Sequence, residues 1–448
     1  MNTTPVENRG RWGSNLGFIL AAAGSAIGLG NIWGFPYKAS QSGGAAFVLV
    51  YVLCVALLGI PIMFAELSIG RASEKSPVGA FKKLAPGSFW WLVGALGVLS
   101  GFAILSFYSV IAGWALGYIF KAVGGAFAGG VTLDESGSIF GAFTANKSMM
   151  ILWTAAFFLL TILVVRGGIR GGIELASKIL MPVFFALLIG LALRSMTLPG
   201  ASEGFWFLFN ADFHKLTPKI VLDALSQAFF SLSLGMGAMI TYGSYLSRGQ
   251  NLPRAGVIVA LADTAIALLA GLMIFPALFS QGAEPAGSVG LVFVVLPTIF
   301  DTLPAGELFA VAFYILLVIA ALTSSISLLE VVVSYFVDEL KWSREKSTWL
   351  LGAACFALAV PSALSPNGFL GIMNKIFFDY ALAIGALFIC LFVGWRWKPA
   401  AAIDELSAEG TRFPGLKFWG FLVRYFCPLV VAIIIVMQAY TALRPAAG

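Results

Sequence analysis

Apolar stretches of about twenty residues or more recur along almost the whole chain, and each is long enough to cross the ~30 Å hydrocarbon core of a bilayer as an α-helix. Within that core every backbone polar group needs a partner from the protein itself. Only helical bundles and closed β-barrels meet that demand. The runs are continuous rather than alternating in polarity, so the barrel is rejected. Composition agrees: 60% of the 448 residues are hydrophobic and 11% are charged, against about 25% charged in a soluble domain. The chain is therefore expected to be an all-α, polytopic membrane protein, with residues 1–448 forming a single domain.

Charged and Gly/Pro-rich breaks mark about eleven spans, near 13–38, 42–70, 89–121, 148–166, 171–194, 220–247, 254–282, 306–338, 346–362, 369–396 and 416–442. Lys and Arg concentrate in alternate loops, as at Arg71 to Lys83, Arg166 to Arg170, Lys341 to Lys346 and Arg396 to Lys417. The positive-inside rule then puts the N-terminus in the cytoplasm, and an odd number of spans puts the C-terminus outside. The net charge of +6 is read as this loop bias, with no nucleic-acid partner expected. The first apolar run lacks a cleavage pattern and is read as a membrane helix rather than a removed leader. Cys54, Cys355, Cys390 and Cys427 all lie in apolar runs, with neither zinc spacing nor a disulfide framework. The only histidine, His214, falls in a predicted outer loop, and no His-Glu-x-x-His motif is present. No catalytic residue is assigned, and an enzyme is not expected.

Two spans carry glycine where lipid would demand an intact helix. The first contains Gly24–Pro36 (GSAIGLGNIWGFP) and the sixth contains Gln227–Ala238 (QAFFSLSLGMGA). Either could be a seam of small residues at which helices pack closely. Their placement favours a different reading. The first opens a block of five spans (13–194) and the sixth opens the next five (220–396), with 416–442 left over. An odd-numbered block puts the two halves in opposite orientations, as an inverted repeat whose broken helices meet at a midplane site. Unwound backbone offers N–H groups to a carboxylate and C=O groups to a cation.

These two stretches, with Gly59–Glu66, Gly70–Arg71 and Ala320–Ser325 (AALTSS), make the chain resemble the neurotransmitter:sodium symporter family, whose bacterial amino-acid transporters share the leucine-transporter fold. The resemblance runs through all eleven spans. It implies a sodium-coupled symporter of hydrophobic L-amino acids, aliphatic to aromatic, in the bacterial inner membrane. It also implies alternating access, two coupling sodium ions, and a monomer or weak dimer within the bilayer.

Family roles carry over by position. The first sodium site would use Ala26, Asn31, Ser231 and Asp263; the second would use Gly24, Ile27, Ala320, Thr323 and Ser324. Oxygen ligands of these kinds suit a hard cation, although Thr and Ser in membrane helices also bond their own backbone. Asp263 is the sharper signal, because a carboxylate there costs ~2.5–3.5 kcal/mol to insert and its helix offers no nearby Lys or Arg. The substrate would meet Ala26, Gly28, Gly30, Ile104, Tyr108, Phe230, Ser231, Ser233, Met236, Ser324 and Leu328. Gly28 stands where monoamine carriers have an Asp, and its lack of a side chain leaves room for a carboxylate. Met236 stands where the leucine transporter has Phe, and flexible Met fills irregular space.

The resemblance also assigns a cytoplasmic lock to Arg9, Trp12, Tyr245 and Asp338. On the outside the chain departs from the family: Gly34 replaces the usual gate Arg. Lys38, one turn on, is a candidate substitute, and Asp379 is left without an assigned partner. Two alternatives stay open, a transporter-derived amino-acid sensor and a proton-coupled carrier using Glu66 or Asp263. Many animal members have a neutral amide at the position of Asp263 and need chloride to balance sodium; a fixed carboxylate would supply that charge. Replacing chloride with gluconate on both sides of reconstituted vesicles should therefore leave uptake unchanged, and a fall in rate would reject the assignment.

Overall fold

The computed structural model describes residues 10–282, 290–301, 305–408 and 415–443. In chain order the helices are α1 (Asn15–Ala26), α2 (Gly30–Gln41), α3 (Ala45–Ser73), α4 (Pro77–Leu84), α5 (Trp91–Val123), α6 (Leu133–Ala145), α7 (Lys147–Arg166), α8 (Ile169–Met196) and α9 (Ala201–Phe209). The second half holds α10 (Pro218–Ser231), α11 (Ala238–Gly243), α12 (Leu252–Ser280), α13 (Leu291–Phe300), α14 (Gly306–Leu340), α15 (Arg344–Leu364), α16 (Gly368–Arg396), α17 (Pro399–Leu406) and α18 (Leu416–Tyr440). Among the described residues nine helices are long and apolar enough to cross a membrane, and α1 with α2 makes a tenth crossing bent by 48°. The remaining expected span, near 220–247, is built as two short helices, α10 and α11.

Chemistry at the helix starts explains the boundaries. Ser14, Asn146, Thr217 and Asn251 each accept a bond from a backbone N–H of the first turn, at 3.0, 3.1, 3.3 and 3.0 Å. Such caps satisfy N–H groups that have no partner inside the helix. The predicted outer loops contain helix that the apolar runs did not signal, namely α6, α9 and α13. α6 opens with a reciprocal box in which Thr132 and Glu135 cap each other; the Thr132 N–H and then its hydroxyl hold the Glu135 carboxyl below the usual range. Phe293 of α13 packs on Trp114, Phe140 and Tyr314, which closes α6 and α13 over one end of the bundle.

α5 and α14, at 33 and 35 residues, pack along each other through the centre. At ~1.5 Å per residue each rises about 50 Å, more than the hydrocarbon thickness, so each crosses and continues beyond it. The two interrupted helices pack against this pair. α1 ends because Ile27 turns to an extended ψ of 109°, and α2 resumes at Gly30. α10 ends at Ser231, and Ser233, Gly235 and Gly237 follow with φ of 54°, 79° and 78°. Glycine reaches that region at no steric cost. Gly235 has a second reason to be bare: a Cβ would stand 2.2 Å from the Leu382 carbonyl oxygen of α16. Its N–H is held by Glu66 of α3 at 2.7 Å, so a buried acid braces the unwound stretch.

Gly235→Ala should cost roughly 2–4 kcal/mol from backbone strain and overpacking together. The check is the midpoint of thermal unfolding of the purified variant in detergent; an unchanged midpoint would mean that α16 yields freely.

Candidate functional site

The breaks in the two helices face each other, and a fully buried polar cluster lies between them. Asn31 of α2 donates from its amide nitrogen to Asp263 Oδ1 at 2.7 Å, to the Asp263 carbonyl at 3.1 Å and to Ser231 Oγ at 2.9 Å. Ser231, the last residue of α10, lies 2.9 and 2.8 Å from the two Asp263 carboxylate oxygens. The Tyr51 hydroxyl donates to Asp263 Oδ2 at 3.1 Å. No Lys or Arg among the described residues pairs with Asp263. Gly28 N–H donates to Asn31 Oδ1 at 3.0 Å. Four separate helices thus meet at one carboxylate. Tyr51 was missed by the sequence reading, since nothing in its local pattern separates it from an aromatic packed between helices.

A second cluster sits where α1 ends. Ser324 Oγ lies 3.5, 3.3 and 3.3 Å from the carbonyls of Gly24, Ser25 and Ile27, and 3.3 Å from that of Ala320 on its own helix. One hydroxyl carries one proton, so four acceptors converge on a single donor. Thr323 lies beside it, with its hydroxyl 3.0 Å from the Ala320 carbonyl and 3.2 Å from that of Ile319. The break in α1 is what frees these carbonyls from the helical ladder. Gly24 allows the approach of α14, since a Cβ there would be 3.1 Å from Thr323 Cβ.

Between the clusters lies a closed cavity of about 20 Å³, lined by Ser25, Ala26, Gly28, Ile104, Tyr108, Phe230, Ser233, Met236, Ser324 and Leu328. Nine of the eleven predicted substrate contacts line it. Ser231 turns instead to Asp263. Gly30 faces the other way, into a larger vestibule of about 730 Å³. Tyr108 and Phe230 line both spaces and form the partition. Phe230 rests on Phe378, ring centroids 4.0 Å apart, and lies over Gly30, where a Cβ would fall 2.5 Å from the ring. The Tyr108 hydroxyl accepts from Leu29 N–H at 3.1 Å. Ser25 was not predicted as a cavity residue. Its carbonyl accepts from Ser233 Oγ at 2.8 Å, which ties the two breaks together.

Comparison with known proteins settles what kind of molecule this is. The profile of the sodium:neurotransmitter symporter family matches residues 9–130 and 133–446. The chain belongs to the sodium:neurotransmitter symporter family. It is 41% identical to an uncharacterised sodium-dependent transporter of Bacillus subtilis, YhdH, over 95% of this chain and 96% of that one. It is 36% identical to a sodium-dependent transporter of Haemophilus influenzae, over 98% and 100%. Among solved structures it resembles MhsT in complex with L-phenylalanine, at 46% identity and a TM-score of 0.89, over 96% of this chain and all of that one. The chain is thus a multi-pass, sodium-dependent membrane transporter rather than an enzyme.

At the far end of the symporter from the vestibule, the path is sealed. Trp12 is buried against Phe18, Tyr242 and Tyr245, and its indole N–H donates to the Tyr242 carbonyl at 3.0 Å. Glu174 of α8 holds the incoming strand through Gly13 N–H at 2.6 Å and Ser14 Oγ at 2.8 Å. Of the other residues expected in the lock, Tyr245 and Asp338 are both buried. Arg9 lies outside the described residues. Asp338 accepts from Ser76 N–H at 2.6 Å. Tyr245 donates to Glu330 at 2.6 Å, and Glu330 also takes a two-toothed ion pair from Arg344. The sequence reading missed this pair, although a lone acid in the apolar middle of α14 is the signal that marks such a residue.

Arg344→Ala leaves the Glu330 carboxylate buried with Tyr245 alone and should cost roughly 3–5 kcal/mol. Removing both charges (Arg344→Met with Glu330→Gln) should recover much of that loss. The comparison is made on thermal unfolding midpoints in detergent, and a double variant no more stable than the single one would contradict the assignment.

Proposed function

We propose that this symporter imports hydrophobic L-amino acids together with two sodium ions and without chloride. It would sit in a bacterial plasma membrane with its N-terminus cytoplasmic, its C-terminus outside and its vestibule facing out. The proposal includes two inverted five-helix repeats, 13–194 and 220–396, followed by an added helix at 416–442. One observation carries the substrate class: no charged side chain lines the closed cavity. One end of it presents Gly28, the Tyr108 hydroxyl and backbone of the α1 break; the other is walled by Ile104, Met236 and Leu328. The first end suits a carboxylate and the second an apolar side chain. A Cβ on Gly28 would lie 2.5 Å from Ser324 Oγ and 2.9 Å from the Tyr108 hydroxyl, so this end has no space for an aspartate of the protein's own. MhsT, with L-phenylalanine bound, supports the same class.

The cavity as it stands holds about one water, so a phenylalanine requires Met236 to repack and the Phe230 ring to swing toward the vestibule. For sodium, the Asp263 cluster supplies the fixed negative charge. Turning the Asn31 amide by 180°, an orientation set by its partners, presents oxygen to the same point as Ser231 and Asp263 and frees Gly28 N–H for the substrate. The Ala26 carbonyl and the substrate carboxylate would complete that shell. The acceptor-rich cage around Ser324, with Thr323 and the Gly24, Ile27 and Ala320 carbonyls, suits the second ion by the same chemistry. Sharing the substrate carboxylate makes each ligand strengthen the other, which is the coupling.

Each sodium gains about 2.3 kcal/mol from 100 mV and about 1.4 kcal/mol from a tenfold gradient. Two ions supply roughly 7.4 kcal/mol, enough for about 10⁵-fold accumulation of a zwitterion at perfect coupling. Movement of the interrupted helices against the rest would alternate access.

The test is uptake of radiolabelled leucine and phenylalanine into proteoliposomes with and without an inward sodium gradient. Sodium-driven uptake of both is expected, abolished by Asp263→Ala and weakened in apparent affinity at least about tenfold by Gly28→Ala. Binding without uptake would favour a sensor, and uptake driven by protons without sodium would favour a proton-coupled carrier. Absence of both binding and uptake would overturn the substrate class.

A further inference from the structure

The side of the bundle, near its sealed end, carries a groove that the transport path does not use. It encloses about 590 Å³, walled by Trp90 and the first turns of α5 (Leu92, Val93 and Leu96) and by Phe388 of α16. Phe89 stands largely exposed at its rim, and no charged side chain lines it. The groove cannot close by repacking its walls. On the face turned to the core, α5 is clamped: a Cβ on Gly94 would stand 2.5 Å from the Pro77 carbonyl oxygen, and one on Gly97 would stand 3.3 Å from the Gly237 nitrogen. Trp90 is fixed by edge contacts to Phe388 and Phe392, with ring centroids 6.4 and 5.3 Å apart.

Cations gather beside this groove. Phe81 of α4 packs on Phe392, ring centroids 4.7 Å apart, and Trp397 stacks on the same ring at 6.4 Å. These contacts bring the end of α4, with Lys82 and Lys83, and the end of α16, with Arg396 and Lys398, to the aromatic cluster that walls the groove. Lys82 is spent on Glu339, at 2.7 Å. The Lys83 ammonium donates to the Ser73 carbonyl at 2.9 Å. Among the described residues no carboxylate pairs with Lys83, Arg396 or Lys398, and all three are exposed. Trp91 and Trp395 are exposed at the same level, and tryptophan favours the headgroup layer of a bilayer.

We propose that the groove binds one acyl chain of an anionic phospholipid, with the lipid phosphate beside Lys83, Arg396 and Lys398. The inference goes beyond the transport reading and takes from it only the orientation, which puts this lipid in the cytoplasmic leaflet. The walls call for an occupant that is apolar along its length, since water covers such a surface at a cost. The cations call for one that is anionic at its end, and each basic residue near the bilayer surface adds attraction. Lysine and arginine stems lie along apolar surface while their charges reach the headgroups. A neutral lipid would leave the three cations without a counter-charge. A second copy docked here by two-fold symmetry would bring the same cations against one another.

The experiment counts bound lipid and needs no transport substrate. Phosphatidylglycerol and phosphatidylcholine with identical chains are titrated into the delipidated full chain in detergent, and retained lipids are counted by native mass spectrometry. The first phosphatidylglycerol should be retained at about tenfold lower concentration than the first phosphatidylcholine. Val93→Trp fills the groove and should weaken phosphatidylglycerol retention about tenfold. Leu96→Trp fills the same wall and should do likewise, so a folding fault in one variant does not decide the matter. Lys83→Gln with Arg396→Gln should cut the preference for phosphatidylglycerol to about twofold or less. Leu159→Trp, on the exposed face of α7, should change neither quantity. A parent without preference, or a preference unchanged in the Lys83/Arg396 double variant, would overturn the place given to the phosphate. Full retention in both tryptophan variants of the groove would put the lipid elsewhere and overturn the site. A dimer present in the parent and lost in those two variants would give the groove to a second copy and overturn the lipid.

Discussion

The structure is organised around backbone left unpaired at membrane depth. Interrupting α1 and α10 frees carbonyl and amide groups where no lipid can accept or donate a bond. Each freed group then needs a partner from elsewhere in the fold. Ser324 sits among the α1 carbonyls, Ser233 reaches the Ser25 carbonyl, Glu66 takes the Gly235 N–H, and Gln227 takes the Gly30 carbonyl. These bonds draw α3, α10, α14 and the first span to one point. The site is what this requirement leaves behind: a place where backbone and short polar side chains already face inward.

Glycine placement follows from the same constraint. Gly24 admits Thr323, Gly28 admits Tyr108 and Ser324, Gly30 carries the Phe230 ring, and Gly235 lies on the backbone of α16. Each removes a Cβ where another element must come close. The two ends of the path are closed by different means. The Trp12 end uses a buried indole and the Glu330–Arg344–Tyr245 network, which is costly to open because the Glu330 carboxylate is fully buried and depends on its partners. At the vestibule end the Tyr108 and Phe230 rings stand between the two spaces. This asymmetry fits a conformation sealed on one side and poised on the other.

Much of this was legible in the sequence. The observed spans begin and end within a few residues of the apolar runs, because lipid imposes a length that composition cannot disguise. Asp263 and the paired Gly-x-Gly stretches stood out for a related reason, being expensive where they are, and the family resemblance gave them their expected roles. What escaped was tertiary pairing. Tyr51 looks like any aromatic in a membrane helix until Asp263 is placed against it. Glu330 and Arg344 are fourteen residues apart on different helices, and nothing in either segment names the other. The Tyr245 hydroxyl also reaches Glu330, a partner that the lock expected from Arg9 and Asp338 does not name. The helices at Leu133–Ala145, Ala201–Phe209 and Leu291–Phe300 are short and lie where loops were read. Packing rather than an apolar span defines them.

The bonds from Ser324 to the carbonyls of Gly24 and Ser25 join residues 300 and 299 positions apart. During synthesis the first span must enter the bilayer long before its partner on α14 exists. Until then those carbonyls of the first span lack their partner on α14. Contacts so distant in sequence form late. The cage around Ser324 therefore forms only after α14 has been made, and truncated or stalled chains lacking α14 would expose a defect at their very first helix.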